Sequence, residues 1–475
     1  MRMNEEQIKN IVRGVLQSMG DLGQAAAPAS AMNEKSSFLG IFATMEEAIA
    51  AAKAAQKEIQ PMPLEFREKI ISNIRRMTKE MATQFAELGV SETGMGNVGH
   101  KIMKHHLVAE KTPGTEDLQT IAWSGDRGLT LIEQGPFGVI GAVTPSTNPS
   151  ETVLCNSIGM LAAGNAVVFA PHPSAKNVSN MAIDLVNRAS LEAGGPCNIV
   201  TGVANPTLDT SMLLFKHKDI ALLVATGGPG VVTQVLSVGK RGLGAGAGNP
   251  PALVDETANI KKAAEDIVNG ATFDNNLPCI AEKEVVAVDM IADELMYHME
   301  QVGCYRANPA EVKKLVDTVF VEKNGKKILN RKCVGRSAKV LLEMIGVTVG
   351  DDIRCIIFEG EKEHPLIWEE LMMPILGIVR VKNVDEGIAV AVELEHGNRH
   401  SAHMHSTNVN NLTKFGKAVD TAIFVKNAPS YAALGYGGEG YATFTICSRT
   451  GEGLTSAKTF TKSRRCVMGD ALCIR

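Results

Sequence analysis

The stretch from Gly138 to Ser174, GVIGAVTPSTNPSETVLCNSIGMLAAGNAVVFAPHPS, indicates the fold class. It reads as an apolar strand (GVIGAVTP), a helix (SETVLCNSIGMLAAG) and a second apolar strand (NAVVFAPHPS). The following segments continue the alternation as a helix (VSNMAIDLVNRASLEAG), a strand (CNIVTGV), a helix (DTSMLLFKH) and a strand (IALLVATGG). This spacing predicts parallel β-α-β units in a doubly wound α/β sheet. Such sheets bind ligands beyond the carboxyl ends of their strands, so TPSTNPS, APHPS and ATGGPG are the candidate binding loops.

The chain has a helical region before this sheet and a second alternating unit after it. From Phe38 to about Val90 the sequence is Ala-rich and periodic, which predicts helices. A second α/β unit begins near residue 245 and alternates to about residue 427. The polar tail FTICSRTGEGLTSAKTFTKSRRCVM reads as a strand without a core of its own. We expect it to pair with another strand, a neighbouring subunit being one option.

The composition excludes several classes of protein. The 475 residues are 45% hydrophobic and 21% charged, with a mean hydropathy of +0.02, which excludes global disorder, a collagen-like chain and a coiled-coil rod. A formal net charge of −4 argues against a nucleic-acid partner. The nine cysteines form no CxxC pair, which predicts a reducing, cytoplasmic setting. No apolar run reaches the ~18–20 residues of a membrane span, so we expect no membrane partner.

Residues 4–19, NEEQIKNIVRGVLQSM, are predicted to form an amphipathic helix ahead of the main body. Gly20 would end this helix, and residues 21–37 read as a flexible linker rich in Ala, Ser and Gly. A helix this short is marginal in water by itself, so it needs a surface to dock on. That surface is either the protein's own domain or a partner that the helix binds as a docking peptide.

The usual nucleotide-binding and metal-binding motifs are missing. No GxGxxG opens a helix after the first strand, and no GxxxxGK[ST] occurs. The Gly227–Gly228–Pro229–Gly230 loop could cradle a phosphate, but a lone glycine loop is a weak signal. Adjacent His105 and His106 would point in different directions on a helix, and the histidines of EHGNRHSAHMHS alternate on a predicted strand. We therefore predict no metal site.

Four segments in order resemble the aldehyde dehydrogenase superfamily, collinearly from about Phe38 to the C-terminus. GPFGVIGAVTP, with the later AAGNAVVFAP, is similar to the family's first cofactor-binding strands, and NPPALVDETANIKKA to the start of its catalytic domain. NNLPCIAEK resembles the segment that carries the catalytic cysteine, and EELMMPILGIVRV the segment whose Glu contacts the nicotinamide ribose. The resemblance implies a Rossmann-like cofactor domain that lacks the usual glycine fingerprint, a second α/β catalytic domain and a small oligomerisation element.

The resemblance also implies a division of the chain. The expected segments are an encapsulation helix (1–20), a linker (21–37), an NAD-binding domain (38–118 and 138–245), a catalytic domain (246–430), and an oligomerisation hairpin with a C-terminal strand region (119–137 and 431–475). Superfamily members are usually dimers or tetramers, so we expect a homodimer or homotetramer.

Three departures from the hydrolytic members of the superfamily narrow the resemblance. Where those members carry the Glu that activates water, this chain has Gly244, aligned on Asn249-Pro250. Without a base in reach of water, a thioester on the enzyme should survive until another nucleophile arrives. Where the hydrolytic members have Trp-Asn in the oxyanion loop, this chain has Thr147-Asn148. Where they have a cofactor-contacting Lys-Pro, this chain has Ala-Pro, within Ala170–Pro173. Together these departures resemble the CoA-acylating branch.

The resemblance assigns roles to individual residues. Cys279 would be the nucleophile, forming a thiohemiacetal and then a thioacyl-enzyme that CoA resolves. Thr147 and Asn148, with the Cys279 backbone, would stabilise the oxyanion. The residues expected to bind the NAD cofactor are Glu370 at the ribose, Thr226 and Gly227 at the pyrophosphate or nicotinamide, and Pro171 and His172, where His172 either contacts the adenosine end or braces a turn.

The amphipathic helix resembles the encapsulation peptide of aldehyde dehydrogenases housed in bacterial microcompartments for ethanolamine or propanediol utilisation. This implies a cytoplasmic enzyme inside a microcompartment, docked on a shell protein through residues 4–19, that oxidises acetaldehyde or propionaldehyde with NAD and CoA. The alternatives are a hydrolytic aldehyde dehydrogenase that makes free acid, a reductase of acyl phosphates, and a catalytically silent shell-binding cargo.

Overall fold

The computed structural model describes residues 38–323 and 325–474. The predicted encapsulation helix and linker, residues 1–37, lie outside the described residues. The helices are α1 (Met45–Ile59), α2 (Leu64–Glu80), α3 (Ala82–Thr93), α4 (Val98–Lys111), α5 (Pro149–Ala162), α6 (Lys176–Ala193), α7 (Leu208–Lys216), α8 (Pro229–Ser237), α9 (Ile260–Thr272), α10 (Asp289–Gln301), α11 (Pro309–Val319), α12 (Ala338–Met344), α13 (Pro365–Trp368), α14 (Val384–Leu394) and α15 (Val409–Val419).

The strands follow the same chain order. They are β1 (Ile41–Phe42), β2 (Ile121–Gly125), β3 (Gly128–Pro136), β4 (Val139–Thr144), β5 (Ala166–Pro171), β6 (Val200–Val203), β7 (Ile220–Thr226), β8 (Gly242–Ala245), β9 (Pro251–Val254), β10 (Glu284–Val288), β11 (Cys304–Arg306), β12 (Phe320–Lys323), β13 (Lys326–Leu329), β14 (Cys355–Glu359), β15 (Ile375–Val381), β16 (Ser401–His405), β17 (Ile423–Lys426), β18 (Ile446–Cys447), β19 (Gly453–Leu454) and β20 (Thr461–Gly469).

Two parallel sheets form the body of the molecule, as the alternation predicts. The first has the strand order β1-β6-β5-β4-β7-β8, and the second β11-β14-β15-β10-β9-β16-β17. In the first sheet the chain runs outward from β4 to β6 and then returns to place β7 on the other side of β4. This reversal is a topological switch point, where a crevice opens beyond the carboxyl ends of β4 and β7.

Apolar runs without alternation explain why these strands sit at the centre of the fold. Every residue of β5 (AVVFAP) and of β10 (EVVAV) is buried. A strand covered by helices on both faces needs apolar side chains on both. None of the helices in the residues that the structure describes is long and apolar enough to cross a bilayer.

The region before the first sheet is helical except at its start. Ile41–Phe42, inside the stretch predicted to be helical, instead form β1, which pairs in parallel with β6. Helix α1 then begins at a capping box in which Thr44 Oγ1 accepts from the Glu47 amide at 3.3 Å and the Glu47 carboxylate accepts from the Thr44 amide at 3.0 Å. A strand of two residues is too short for its sequence pattern to be distinguished from that of a helix.

The polar C-terminal tail pairs with a strand of its own chain. β20 runs antiparallel to β3, from Thr461 opposite Pro136 to Gly469 opposite Gly128, and β2 completes a three-stranded sheet. The tail therefore finds its pairing partner without a neighbouring subunit. Trp123 on β2 is 54% exposed and Val467 on β20 is 65% exposed. The role of this sheet in forming an oligomer stays a prediction.

Candidate active site

The two parallel sheets contribute opposite edges to the candidate site. The carboxyl edge of the first sheet carries the loops that follow β4, β5 and β7, as predicted from the strand alternation. The amino edge of the second sheet carries the segments that precede four adjacent strands, β15, β10, β9 and β16. These segments contain Glu370, Cys279, Gly248 and His400, respectively.

The loop before Cys279 has an unusual backbone. Asp274, Asn275 and Asn276 have φ of 50°, 54° and 67°, in the left-handed region. Asp and Asn tolerate this region better than other non-glycine residues, because their short side chains hydrogen-bond nearby backbone. Asn276 Nδ2 donates to the Ala271 carbonyl at 2.8 Å. Lys283 Nζ donates to Asn276 Oδ1 at 2.6 Å, which fastens the loop to the start of β10.

Cys279 is half-buried and has close neighbours at the amino edge of the second sheet. A Cβ atom on Gly248 would lie 2.9 Å from both the Cys279 carbonyl oxygen and His400 Cγ, so only glycine leaves room for both. Burial, and then the charge of Glu370, raise the pKa of Cys279 to about 12, while Lys283 opposes them. At neutral pH the group is therefore a thiol, which needs a proton acceptor before it can act as a nucleophile.

Glu370 lies beside Cys279 and is not a solvated surface acid. Its Oε1 accepts a hydrogen bond from the Gly248 amide at 3.4 Å. Burial raises the pKa of this carboxyl, and the nearby Lys283 ammonium acts in the opposite direction. The carboxylate has further lone pairs with which it can accept from a ligand's hydroxyl groups.

Asn148 and Thr147 follow β4 and precede α5. Asn148 Nδ2 donates to Thr147 Oγ1 at 3.2 Å, and Asn148 Oδ1 accepts from Lys104 Nζ at 2.7 Å. An ammonium group can only donate, so this contact fixes which end of the amide is oxygen. The NH₂ group of Asn148 is therefore the end of the amide that can donate hydrogen bonds.

His400 is a member of the site that the sequence interpretation missed. Its Nδ1 lies 2.8 Å from Ser401 Oγ, and no described residue gives its Nε2 a hydrogen bond. Burial, with the charges of Lys283 and His403, lowers the pKa of His400 to about 4, so the ring is neutral at neutral pH and is a weaker base than a free imidazole. The motif EHGNRHSAHMHS was the available signal, but its histidines are considered from the sequence only as candidate metal ligands, and that role is rejected.

Apart from Glu370, the residues predicted to bind the cofactor lie at the carboxyl ends of β5 and β7. Thr226 ends β7, and its Oγ1 is 2.8 Å from Thr445 Oγ1. The Gly227 amide donates to the Ala245 carbonyl at 3.1 Å, so it extends the sheet instead of facing a phosphate. Pro171 ends β5. The adjacent His172 braces a turn, because its Nδ1 accepts from the Ser174 amide at 3.2 Å.

Gly244 lies within β8, where the hydrolytic members would place a base. Its amide donates to Thr450 Oγ1 at 3.3 Å. A Cβ atom here would come within 2.7 Å of Val232 Cγ1 on α8. Any side chain at this position would therefore require the Val232 side chain to shift.

The histidines considered as metal ligands have other contacts. His105 Nε2 lies 2.9 Å from Ser150 Oγ, and His403 Nε2 lies 2.9 Å from the Ile280 carbonyl. Within residues 38–323 and 325–474, no group of three or more His, Cys, Asp or Glu side chains is placed to hold a metal ion.

Comparison with known proteins identifies the family. The aldehyde dehydrogenase family model matches residues 40–457. The chain belongs to the aldehyde dehydrogenase family. It is 47% identical to the acetylating acetaldehyde dehydrogenase of Salmonella typhimurium, over 99% of this chain and 100% of that protein.

Solved structures of the family show the same fold. A propionaldehyde dehydrogenase from the Clostridium phytofermentans fucose utilisation bacterial microcompartment has a TM-score of 0.91 and 67% identity, covering 92% of this chain and 100% of that one. The Rhodopseudomonas palustris propionaldehyde dehydrogenase, solved with bound CoA and an acylated cysteine, has a TM-score of 0.90 and 53% identity, covering 92% and 99%. The predicted fold class and the resemblance to CoA-acylating members are confirmed.

Proposed function

We propose that this protein oxidises a short aliphatic aldehyde, acetaldehyde or propionaldehyde, to the acyl-CoA thioester with NAD and CoA. The observation that supports this proposal is that Lys101 and Lys104 join the Thr147–Asn148 loop to Asp274, in the loop that leads to Cys279. Gly244 stands where the hydrolytic members would carry the water-activating base. The similarity to an acetylating acetaldehyde dehydrogenase and to a propionaldehyde dehydrogenase with bound CoA supports it.

The first half-reaction forms a thioester on Cys279. The Sγ–C bond forms as the thiol proton passes to a base, for which the unpartnered Nε2 of His400 is our candidate. The Asn148 NH₂ group and the Cys279 amide stabilise the oxyanion. The carbonyl re-forms as a hydride leaves the aldehyde carbon.

Glu370 would hold the nicotinamide ribose of NAD, with Thr226, Pro171 and the backbone near Gly227 along the rest of the cofactor. The residues fit such a ligand, because Glu370 can accept hydroxyl hydrogen bonds and a Cβ on Gly228 would meet no atom within 4 Å, which leaves the backbone open to close approach. When bound, NAD accepts the hydride.

In the second half-reaction the CoA thiol attacks the thioester carbonyl. The bond to the CoA sulfur forms and the bond to Cys279 Sγ breaks. The proton lost by the CoA thiol restores the Cys279 thiol, the proton taken from Cys279 in the first half-reaction passes to solvent, and acyl-CoA leaves. The same oxyanion donors serve both halves, since each passes through a tetrahedral intermediate.

Omitting CoA is expected to lower steady-state NADH formation by about a hundredfold, leaving one rapid turnover per site. A general base accelerates thioester hydrolysis by at least about a hundredfold, and Gly244 provides no such base. The measurement is NADH absorbance with purified protein, NAD and propionaldehyde, with and without CoA. Equal turnover without CoA, with free propionate as the product, would instead establish the hydrolytic alternative.

We further infer that the protein is cargo of a bacterial microcompartment, docked on a shell protein through residues 4–19, and that it is a homodimer or homotetramer built through the sheet β2-β3-β20. The microcompartment origin of one similar structure supports the first inference. The exposed apolar side chains Trp123 and Val467 support the second.

Deleting residues 1–20 from the full chain is expected to leave CoA-dependent activity within about twofold and to abolish co-sedimentation with assembled shells. A short apolar stripe separated from the catalytic body by a linker binds without contributing to the active site. The control is the full-length protein, which keeps the linker and the apolar residues Ile8 and Ile11 of the predicted helix. Undiminished co-sedimentation of the truncated protein would show that docking uses another surface.

A further inference from the structure

Four charged side chains are buried together beneath the oxyanion loop. Lys101 and Lys104 on α4 are 2% and 0% exposed, and Glu151 on α5 and Asp274 in the cysteine loop are both 0% exposed. The two positive and two negative charges balance. This cluster, Lys101–Lys104–Glu151–Asp274, touches both segments that make the proposed catalytic machinery.

Lys104 Nζ is surrounded by three oxygen atoms from three segments. It lies 2.7 Å from Asn148 Oδ1, 2.7 Å from Glu151 Oε1 and 2.5 Å from Asp274 Oδ2. The contacts to Asn148 Oδ1 and Asp274 Oδ2 are hydrogen bonds, and the contact to Glu151 Oε1 is an ion pair. One side chain thus connects the oxyanion loop to the loop that presents Cys279.

Lys101 makes a parallel connection one helical turn earlier. Its Nζ donates to Asp274 Oδ2 at 3.0 Å and to the Thr147 carbonyl at 3.2 Å. Asp274 Oδ1 accepts from the Asn97 amide at 2.8 Å, immediately before α4. Both lysines therefore bind one atom of the oxyanion loop and one carboxylate oxygen of the cysteine loop.

Ion pairing favours the charged forms of Lys104 and Glu151 despite their burial, whereas burial lowers the pKa of Lys101. The Asp274 and Glu151 carboxylates raise the pKa of Lys104 against the effect of burial, and the lysines, with His105, lower the pKa of Glu151. Burying ion pairs adds little to stability compared with apolar packing, so such pairs are better explained by the geometry they impose. Here that geometry is the orientation of the Asn148 amide.

We propose that Lys104 is a positioning residue for the oxyanion donor: by binding Asn148 Oδ1 while held by Asp274 and Glu151, it aims the Asn148 NH₂ group at the carbonyl bound to Cys279. The inference rests on the oxyanion role proposed above for Asn148. A charge-assisted bond to Oδ1 fixes the amide against flipping and polarises its N–H bonds. Donors held in place before the reaction starts are the ones that stabilise a developing oxyanion best.

A double-mutant cycle tests this inference on the full-length protein. The charge-balanced pair Lys104→Met with Glu151→Gln removes one cation and one anion, and it retains the Lys101–Asp274 ion pair that anchors the cysteine loop. The pair is made with Asn148 intact and in an Asn148→Ala background. The readouts are the single-turnover rate of NADH formation, KM for propionaldehyde, the melting temperature and the alkylation rate of Cys279.

With Asn148 intact, the pair is expected to lower the single-turnover rate by at least about tenfold, with KM and Cys279 alkylation within about twofold. In the Asn148→Ala background the same double substitution should lower the single-turnover rate by less than about threefold, because the amide through which Lys104 acts is absent. The surface control Lys79→Met with Glu110→Gln removes an exposed ion pair with an N–O distance of 2.9 Å, and it should leave every readout unchanged.

Equal losses in both backgrounds would overturn the inference, because Lys104 would then act independently of Asn148. A loss confined to KM or to Cys279 alkylation would also overturn it. An unchanged rate for Asn148→Ala alone would overturn the proposed oxyanion role itself, which is a distinguishable failure. If the Met pair gives no cooperative melting transition, Lys104→Gln with Glu151→Gln takes its place in the cycle, with the same expected outcomes.

Discussion

Replacing Cys279 with serine is expected to lower CoA-dependent NADH formation by at least about 10⁴-fold, because a serine hydroxyl is a far weaker nucleophile than a thiolate and forms no thioester. The protein should remain folded, since the substitution exchanges one atom at a half-buried position. The measurement is steady-state NADH absorbance with NAD, propionaldehyde and CoA, together with mass spectrometry of the protein trapped with aldehyde and NAD in the absence of CoA.

The matched control for this variant is Cys197→Ser. Cys197 is also half-buried, and its Sγ contacts only the neighbouring Asn198 Oδ1, at 3.6 Å, among the contacts that the structure records for this thiol. Its activity should stay within about twofold of the parent, and the acyl adduct should map to the peptide containing Cys279. An acyl adduct on another cysteine, or full activity in Cys279→Ser, would contradict the proposed mechanism.

Replacing Asn148 with alanine is expected to lower the single-turnover rate by about 10²–10³-fold, the usual cost of removing one preorganised oxyanion donor. KM for the aldehyde should change little, because the donor binds charge that develops only in the transition state. The measurement is stopped-flow NADH absorbance at saturating NAD and a range of propionaldehyde concentrations.

The control for this second variant is Asn205→Ala, which removes an exposed amide that accepts from Lys176 Nζ at 2.7 Å. This variant should be indistinguishable from the parent. A rise in KM at an unchanged rate for Asn148→Ala would show that the amide binds the ground state and that another group holds the oxyanion.

The strand–helix alternation predicted most of the first sheet correctly, since residues between Val139 and Thr226 form β4 to β7 with their intervening helices. Long apolar runs with clear breaks leave little choice of secondary structure. The short strand Ile41–Phe42 escaped the same reasoning, because it exists only through pairing with β6. The partner of the C-terminal tail was likewise left open by the sequence, which holds no information on which edge strand is free.

The site was only partly predictable. Family resemblance marked Cys279 and Asn148, and the carboxyl-edge rule marked the loops of the first sheet. That rule does not apply to the second sheet, whose contribution comes from the amino edge, so His400 was passed over. Lys101 and Lys104 read as polar residues on an ordinary helix, since nothing in their spacing shows that both are buried against Asp274, 170 residues or more along the chain.

The sequence by itself therefore determined the fold class and the superfamily, and it predicted Cys279 as the nucleophile and a missing base at Gly244, because each depends on local residue identity or on the order of motifs. The tertiary structure decided which groups surround Cys279 and how the Asn148 amide is held. Those contacts join α4, the start of α5 and the cysteine loop, which are far apart in sequence. Burial and ion pairing depend on distances in the folded chain, and these exist only once both sheets have brought their opposite edges together.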